Sequence, residues 1–166
     1  MSIEKFKYKI LFNFFKKKKK LLWTLVNNLL NDSVSKPSIS VLTLSEDTIL
    51  GKKNEKIFVT NDSYQTWYII NDKNFHGKFV KKIQSFIKKD HNYNFIDIGA
   101  NTGLLTKGIL NRTKNIKNSF LIEPSEDNFF CIKNNLLNYE NVYISNFALD
   151  SHDGEKKLFV DKNNKG

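Results

Sequence analysis

The second half of the chain alternates between short apolar runs and stretches with helical spacing. The apolar runs are residues 94–98, 119–122 and 142–147, and each has the length of a buried strand. Residues 102–110 and the segment after Ser125, its expected N-cap, lie between them and carry the helical spacing. The second helix is expected to turn a set of apolar side chains inward, namely Phe129, Cys131, Ile132 and Leu136. Because strands that alternate with helices form parallel sheets, the pattern predicts an α/β fold.

The pattern upstream of residue 94 predicts a hairpin followed by a helix. Residues 56–60 and 66–70 are rich in β-branched and aromatic side chains and are separated by polar turn residues, which is typical of paired strands. A set of apolar side chains then recurs at helical spacing with lysines between them: Phe75, Phe79, Val80, Ile83, Phe86 and Ile87. Residues 32–40 read as a polar linker, so the chain divides into a tail, 1–40, and a domain, 41–166. Asp153 and Gly154 predict a turn before a last strand at 155–160.

Residues 1–30 carry most of the positive charge. They hold eight lysines and one acid, and so contribute +7 of the formal net charge of +10. The apolar and aromatic side chains between those lysines predict a basic amphipathic helix. Such a helix can dock on the domain, lie on an anionic membrane surface, or contact nucleic acid. Only charge favours nucleic acid, because the chain shows no nucleic-acid-binding motif.

Two other interpretations of this tail are disfavoured. The apolar run at residues 21–30 is shorter than the ~20 residues that a membrane span needs, and two asparagines interrupt it. No small-residue cleavage pattern of a secretion signal follows the run. The tail is therefore expected to lie on a surface rather than to cross a membrane.

Composition indicates a single globular domain in a reducing compartment. With 40% hydrophobic and 27% charged residues, a chain of 166 residues is long enough to bury a core. Cys131 is the only cysteine, so no internal disulfide can form and a cytoplasmic location is expected, peripheral at the membrane if the tail binds lipid. The three histidines are scattered and have no cysteine partners, so no metal site is predicted.

Two acids stand where consecutive predicted strands end. Asp97 precedes a turn that contains Gly99 and Gly103, and Glu123 ends the next strand ahead of Pro124. Glycine adopts positive φ and has no Cβ, so the backbone of such a turn can approach a ligand closely. The two oxygens of Glu123 match two vicinal hydroxyls, whereas Asp97 suits a cationic amino group. Together they predict a site for an adenosine-containing cofactor at the carboxyl edge of the sheet.

The turn lacks the features of the common phosphate-binding loops. A dinucleotide loop has a second glycine two residues after its first, where this chain has Asn101. The chain also has no G-x-x-x-x-G-K-[ST] sequence, which a nucleoside triphosphate loop requires. NAD and nucleoside triphosphates are therefore disfavoured as ligands.

The order Asp-x-Gly-x-Asn-x-Gly with a downstream Glu-Pro resembles motif I and the acidic strand end of class I S-adenosylmethionine-dependent methyltransferases. More narrowly, FIDIGANTG, FLIEPSEDNFFCIKNNLLN and NVYISNFALDSHDGEKKLFV resemble the FkbM family over residues 56–166. The resemblance implies a doubly wound, Rossmann-like sheet that binds S-adenosylmethionine. The residues it implies for cofactor binding are Asp97, Gly99, Ala100, Asn101, Gly103, Glu123, Pro124, Asn146 and Ala148. In that family the last two positions lie beside the adenine.

The same resemblance implies methyl transfer to a hydroxyl of a sugar or another small metabolite. The family's next strand, which ends in an Asp-x-Glu-Gly type sequence, is not found before Gly166. We therefore expect the N-terminal portion of such an enzyme, and no catalytic residue is assigned. Two alternatives stay open: an inactive binding or membrane-surface module that acts through its basic helix, and a fragment of an NAD-type oxidoreductase, which Asn101 disfavours.

Overall fold

The computed structural model describes residues 39–60, 66, 68, 69, 72, 74 and 76–157. Its strands and helices, labelled in chain order, are β1 (Ile39–Thr43), β2 (Lys56–Thr60), α1 (Gly77–Phe86), β3 (Tyr93–Ile98), α2 (Leu104–Arg112), β4 (Ile116–Ile122), α3 (Glu126–Asn135) and β5 (Val142–Ser145). The predicted tail helix lies outside the described residues. Of the strand predicted at 155–160, residues 155–157 are described and are not in a strand.

The predicted strand at residues 56–60 forms, but its predicted partner was wrong. β2 pairs antiparallel with β1, whereas Thr66, Tyr68 and Ile69 are helical. Tertiary contacts outweigh the β propensity of this run, because the Thr66 hydroxyl donates to the Thr60 carbonyl at 2.6 Å and Tyr68 and Ile69 pack on the core. β1 also crosses the predicted boundary between residues 40 and 41, so the linker ends earlier than expected.

The three later strands form a parallel sheet in the order β3–β4–β5. α2 connects β3 to β4 and α3 connects β4 to β5, so each neighbouring pair is a strand–helix–strand unit. The mixed α/β architecture predicted from the alternation is confirmed. β4 begins at Ile116 rather than at residue 119, and β5 ends at Ser145 rather than at residue 147. Ser125 is the N-cap of α3 as predicted, although its side chain makes no capping hydrogen bond.

The parallel sheet has one covered face and one open face. On the covered face, Leu121 is fully buried and packs with the side chains of α3. On the other face, Ile96, Phe120 and Tyr143 lie opposite one another across the three strands and are 61%, 39% and 51% exposed. The rings of Phe120 and Tyr143 stack with their centroids 5.1 Å apart. The helices of the described residues therefore leave an apolar row in contact with solvent.

Two groups of buried apolar side chains hold these elements together. The first joins β2, α1 and α2 and includes Ile57, Val80 and Ile109. The second joins the parallel sheet to α3 and includes Leu121 and Ile132. Phe95 of β3 packs against the first group and Leu121 of β4 belongs to the second, so both groups contact the covered face of the sheet. Among the described residues, no helix combines the length and apolarity needed to cross a membrane.

The inward-facing residues of the two predicted helices differ in outcome. Cys131, Ile132 and Leu136 of the α3 segment are buried as predicted, whereas Phe129, which was also expected to face inward, is only half-buried. In α1, Val80 is buried, but Phe79 and Phe86 were expected to face the core and are 54% and 68% exposed. The Phe86 ring instead lies 5.0 Å from the ammonium of Lys82. The buried stripe of α1 is therefore narrower than its apolar spacing suggests.

Candidate functional site

The turn from Gly99 to Gly103 connects β3 to α2 and has an unusual backbone. Gly99, Asn101 and Gly103 all adopt the left-handed conformation, with φ of 73°, 52° and 74°. This conformation costs a residue with a Cβ about 1–2 kcal/mol, so Asn101 keeps it only where its surroundings fix the backbone. The sequence-based prediction of a glycine-dependent turn at the carboxyl edge of the sheet is confirmed.

Every backbone N–H group of this turn already donates a hydrogen bond within the protein. Gly99 and Ala100 donate to the Ile122 carbonyl at 2.9 and 3.1 Å, Asn101 to Glu123 Oε2 at 2.8 Å, Thr102 to Asn101 Oδ1 at 2.7 Å, and Gly103 to the Ala100 carbonyl at 2.9 Å. Phosphate-binding loops work by aiming unpaired N–H groups at the anion. Because the N–H groups of residues 99–103 all donate hydrogen bonds within the protein, the turn is not arranged to bind a phosphate.

Glu123 lies at the end of β4 and is 5% exposed. Its Oε2 accepts from the Asn101 N–H, and its Oε1 accepts from the Ser125 N–H at 3.0 Å and from Asn128 Nδ2 at 3.3 Å. A carboxylate has about four acceptor positions, so one remains for a further donor. A second donor would have to replace an existing hydrogen bond. The bond from Asn128 is the longest of the three and so the easiest to replace. Glu123 therefore has a structural role that the sequence did not indicate, since it ties the turn to the start of α3.

Asp97 lies on the covered face and is the second-last residue of β3. Its Oδ2 accepts a hydrogen bond of 2.5 Å from the Thr106 hydroxyl on α2. Burial raises the pKa of the Asp97 carboxyl, the bond from Thr106 opposes that shift, and the charge of Glu123 adds to it. Two carboxylates at one sheet edge, one of them with a raised pKa, favour a cationic ligand group.

The two glycines of the turn meet different surroundings. A Cβ placed on Gly103 would lie 3.2 Å from Cγ1 of Ile132 on α3, so a larger residue here would require Ile132 to shift slightly. A Cβ placed on Gly99 would have no atom within 4 Å, and so packing does not explain its glycine. Gly99 is thus the position where the predicted close approach of a ligand has space.

The remaining predicted cofactor residues lie at the same edge of the sheet. Asn146 follows β5, and its Nδ2 donates to the Glu123 carbonyl at 2.8 Å, while the Glu123 N–H donates to the Ser145 carbonyl at 3.1 Å. Pro124 is half-buried and Ala148 is exposed. The structure therefore joins the ends of β4 and β5. The predicted adenine contacts of Asn146 and Ala148 remain predictions.

Three side chains that support the site were missed in the sequence. Thr106 bonds Asp97, Asn128 bonds Glu123, and Asn135 donates to the Thr102 carbonyl at 2.8 Å. Asn128 is 2% exposed, and its Oδ1 has no hydrogen-bond partner. In the sequence these three residues appear only as polar positions beside apolar ones on predicted helices. Spacing alone does not distinguish such positions from ordinary surface residues.

Comparison of this chain with protein-family models and with curated proteins found no match.

Proposed function

We propose that the chain binds S-adenosylmethionine at the carboxyl edge of its parallel sheet, as the nucleotide-binding portion of an FkbM-like O-methyltransferase with a doubly wound, Rossmann-like sheet. The observation that carries the proposal is the pairing of Glu123 with a turn whose own N–H groups are all in use. A ligand at this turn has to offer donors to carboxylates rather than phosphate oxygens to N–H groups. The ribose hydroxyls and the ammonium group of S-adenosylmethionine are such donors.

The predicted site residues at this edge of the sheet would each contact a different part of the proposed cofactor. Glu123 would accept from the ribose hydroxyls, Asp97 would attract the ammonium group, and Gly99 would leave room for the ligand beside the backbone. The strand end at Asn146 and Ala148 would face the adenine. When bound, S-adenosylmethionine supplies a methyl group on a positively charged sulfur, which suits transfer to a hydroxyl oxygen of a sugar or similar small molecule. Removal of the hydroxyl proton needs a base, to which no described residue is assigned.

The first test replaces Glu123 by alanine and measures the affinity for S-adenosylhomocysteine by calorimetry. Hydrogen bonds to a charged acceptor contribute about 1.5–3 kcal/mol each before water compensates, so we expect affinity to fall at least about tenfold. Glu126→Ala is the matched control, because Glu126 is a neighbouring but exposed acid in the first turn of α3. Unchanged affinity in a folded Glu123→Ala protein would remove Glu123 from the site.

A second candidate function rests on the eight lysines of residues 1–30, which favour a module that binds anionic membrane surfaces. It predicts that the full chain binds vesicles containing anionic lipid more tightly than neutral vesicles. Replacement of Lys16–Lys20 by glutamine should greatly reduce that difference, because each lysine near such a surface contributes about 1 kcal/mol. Equal binding to both kinds of vesicle would reject this function and leave the cofactor proposal untouched.

A further inference from the structure

Asn135 makes contacts on two sides at once. It is the last residue of α3 and is 3% exposed. Its Oδ1 accepts from the Phe58 N–H at 2.8 Å, while its Nδ2 donates to the carbonyls of Phe58 and Thr102, each at 2.8 Å. A carboxamide has two N–H donors, and both are used here. One side chain therefore joins strand β2 to the turn that follows β3.

The bonds to Phe58 resemble those of a neighbouring strand. β2 pairs with β1 along one edge, and the carboxamide of Asn135 takes the place of a peptide group on the other. The Phe58 ring also packs edge-to-face against Phe130 of α3, with centroids 6.2 Å apart. The antiparallel sheet is thus anchored to α3 at Phe58, and through Asn135 to Thr102.

An ion pair in which only the lysine is buried supports the same junction. Lys107 of α2 is 4% exposed, and its Nζ donates to the backbone carbonyl of Asn135 at 2.9 Å. The same Nζ lies 2.7 Å from Oε1 of Glu55, the residue before β2. Burial by itself would raise the pKa of Glu55, but the hydrogen bonds from Lys107 and from the Lys52 N–H lower it below its usual value. Glu55 therefore stays ionised at neutral pH, and its ion pair holds the Lys107 ammonium in position to donate to the Asn135 carbonyl.

We propose that Asn135 is a positioning residue for the turn 99–103, and that it makes the geometry of this turn depend on the antiparallel sheet β1–β2. Asn101 of this turn is in the left-handed conformation, which a residue with a Cβ keeps only when its surroundings fix the backbone. Asn135 fixes it from behind by holding the Thr102 carbonyl. The consequence for ligand affinity rests on the proposed cofactor function, whereas the consequence for the turn itself does not.

The test compares Asn135→Ala with Asn134→Ala in the full chain. Asn134 is the adjacent asparagine of α3, and its carboxamide donates to the Phe130 carbonyl of its own helix at 2.8 Å, which makes it a matched control. Amide hydrogen exchange is measured without ligand at Asn101 and Thr102. The amide of Leu121, in the central strand, reports global unfolding.

We expect Asn135→Ala to accelerate exchange at Asn101 and Thr102 at least about tenfold beyond any change at Leu121, since each lost hydrogen bond shifts a local opening equilibrium by about that factor. Asn134→Ala should leave the ratio unchanged. Affinity for S-adenosylhomocysteine should fall by about tenfold in Asn135→Ala alone. The positioning role is overturned if turn exchange rises no more than that of Leu121, or if both variants behave alike.

A second variant covers the case in which Asn135→Ala does not fold. Asn135→Asp keeps the volume and the acceptor for the Phe58 N–H, but its carboxylate faces two carbonyls with no donor. We expect fast turn exchange, relative to the unmutated chain, at pH 7.5. At pH 5 a protonated carboxyl can donate one bond again, so protection should return in part. Turn exchange as slow as in the unmutated chain at pH 7.5 would refute the role. If the unmutated chain does not bind S-adenosylhomocysteine, the cofactor proposal fails, and the exchange results still decide the positioning role.

Discussion

At the scale of single residues, Asp97 is placed where its charge costs stability. Burial, opposed by the Thr106 bond and reinforced by Glu123, raises its pKa from the ordinary value of 3.8. A carboxyl with a raised folded-state pKa favours folding below its unfolded pKa, and this contribution is lost as pH rises through the folded value. At neutral pH the ionised Asp97 therefore opposes folding, which is expected for a group retained for binding rather than for packing.

We expect Asp97→Asn to raise the free energy of unfolding at pH 7, because burial disfavours the charged form of Asp97, and to lower affinity for S-adenosylhomocysteine. Asparagine can still accept the Thr106 hydrogen bond, so only the charge is removed. Denaturant unfolding at pH 7 and pH 4 measures the first effect, which should shrink at the lower pH. A variant that is less stable at pH 7, with unchanged affinity, would mean that Asp97 serves the fold alone.

Cys131 gives a second pH dependence, at the alkaline end. Burial, with the charge of Asp127 adding to it, raises the pKa of this thiol from 9.0 to about 12. The thiol ionises in the unfolded chain first, so stability present below pH 9 is lost as pH rises from 9 towards 12. At pH 10 the loss should be about 1–2 kcal/mol relative to pH 7. Cys131→Ala should show a correspondingly smaller loss between the two pH values. Equal losses in both proteins would contradict the burial of the thiol.

At the scale of elements, the two glycines of the turn 99–103 differ in their contacts with α3. Gly103→Ala places a methyl group against Ile132 of α3 and also strains the backbone. Gly99→Ala strains the backbone in the same way, but its methyl group has no neighbouring atom within 4 Å. We expect Gly99→Ala to cost about 1–2 kcal/mol of stability, and Gly103→Ala distinctly more. Thermal unfolding of the two variants measures the difference. Equal destabilisation would show that α3 moves aside without cost.

The same turn shows what the sequence could predict. The spacing of Asp97, Gly99 and Glu123 predicted that two strand ends and a turn meet at one sheet edge, and the Asn101 N–H does lie 2.8 Å from Glu123 Oε2. Local patterns sufficed because the strand–helix–strand connection has few alternatives. They did not indicate that Glu123 would bond the backbone of the turn, since its partner there, Asn101, is 22 positions away in sequence.

The antiparallel sheet shows where local patterns fail. Residues 66–70 were predicted to pair with β2, yet β2 pairs with Ile39–Thr43, whose first two residues were assigned to the linker. The choice depends on burial of Ile57 and Val59 against α1 and α2, and on the carboxamide of Asn135 across the other edge. Those contacts are distant in sequence, so no window of a few residues contains the information.

At the scale of the whole molecule, the described part of the chain leaves large apolar side chains exposed on the open face of the parallel sheet. We expect the chain to bind a hydrophobic dye through Ile96, Phe120 and Tyr143, which form one row in contact with solvent. The double variant Ile96→Thr with Phe120→Thr should lower dye binding and self-association, with little loss of unfolding free energy, because these side chains are not buried. Leu121→Thr is the control, since its side chain is fully buried and its loss should destabilise the sheet by about 2 kcal/mol or more. A chain that binds no dye would show that this face is covered.

We propose that the turn 99–103 and Glu123 form a cofactor site that binds an adenosine ligand through carboxylates and not through phosphate. Calorimetric titration of the unmutated chain with S-adenosylhomocysteine and, separately, with NAD tests it most directly. We expect saturable binding of S-adenosylhomocysteine at one site per chain and at least about a tenfold weaker affinity for NAD, because no N–H group of the turn is free to bind a pyrophosphate. Preferential binding of NAD, or binding of neither ligand by the folded chain, would contradict it.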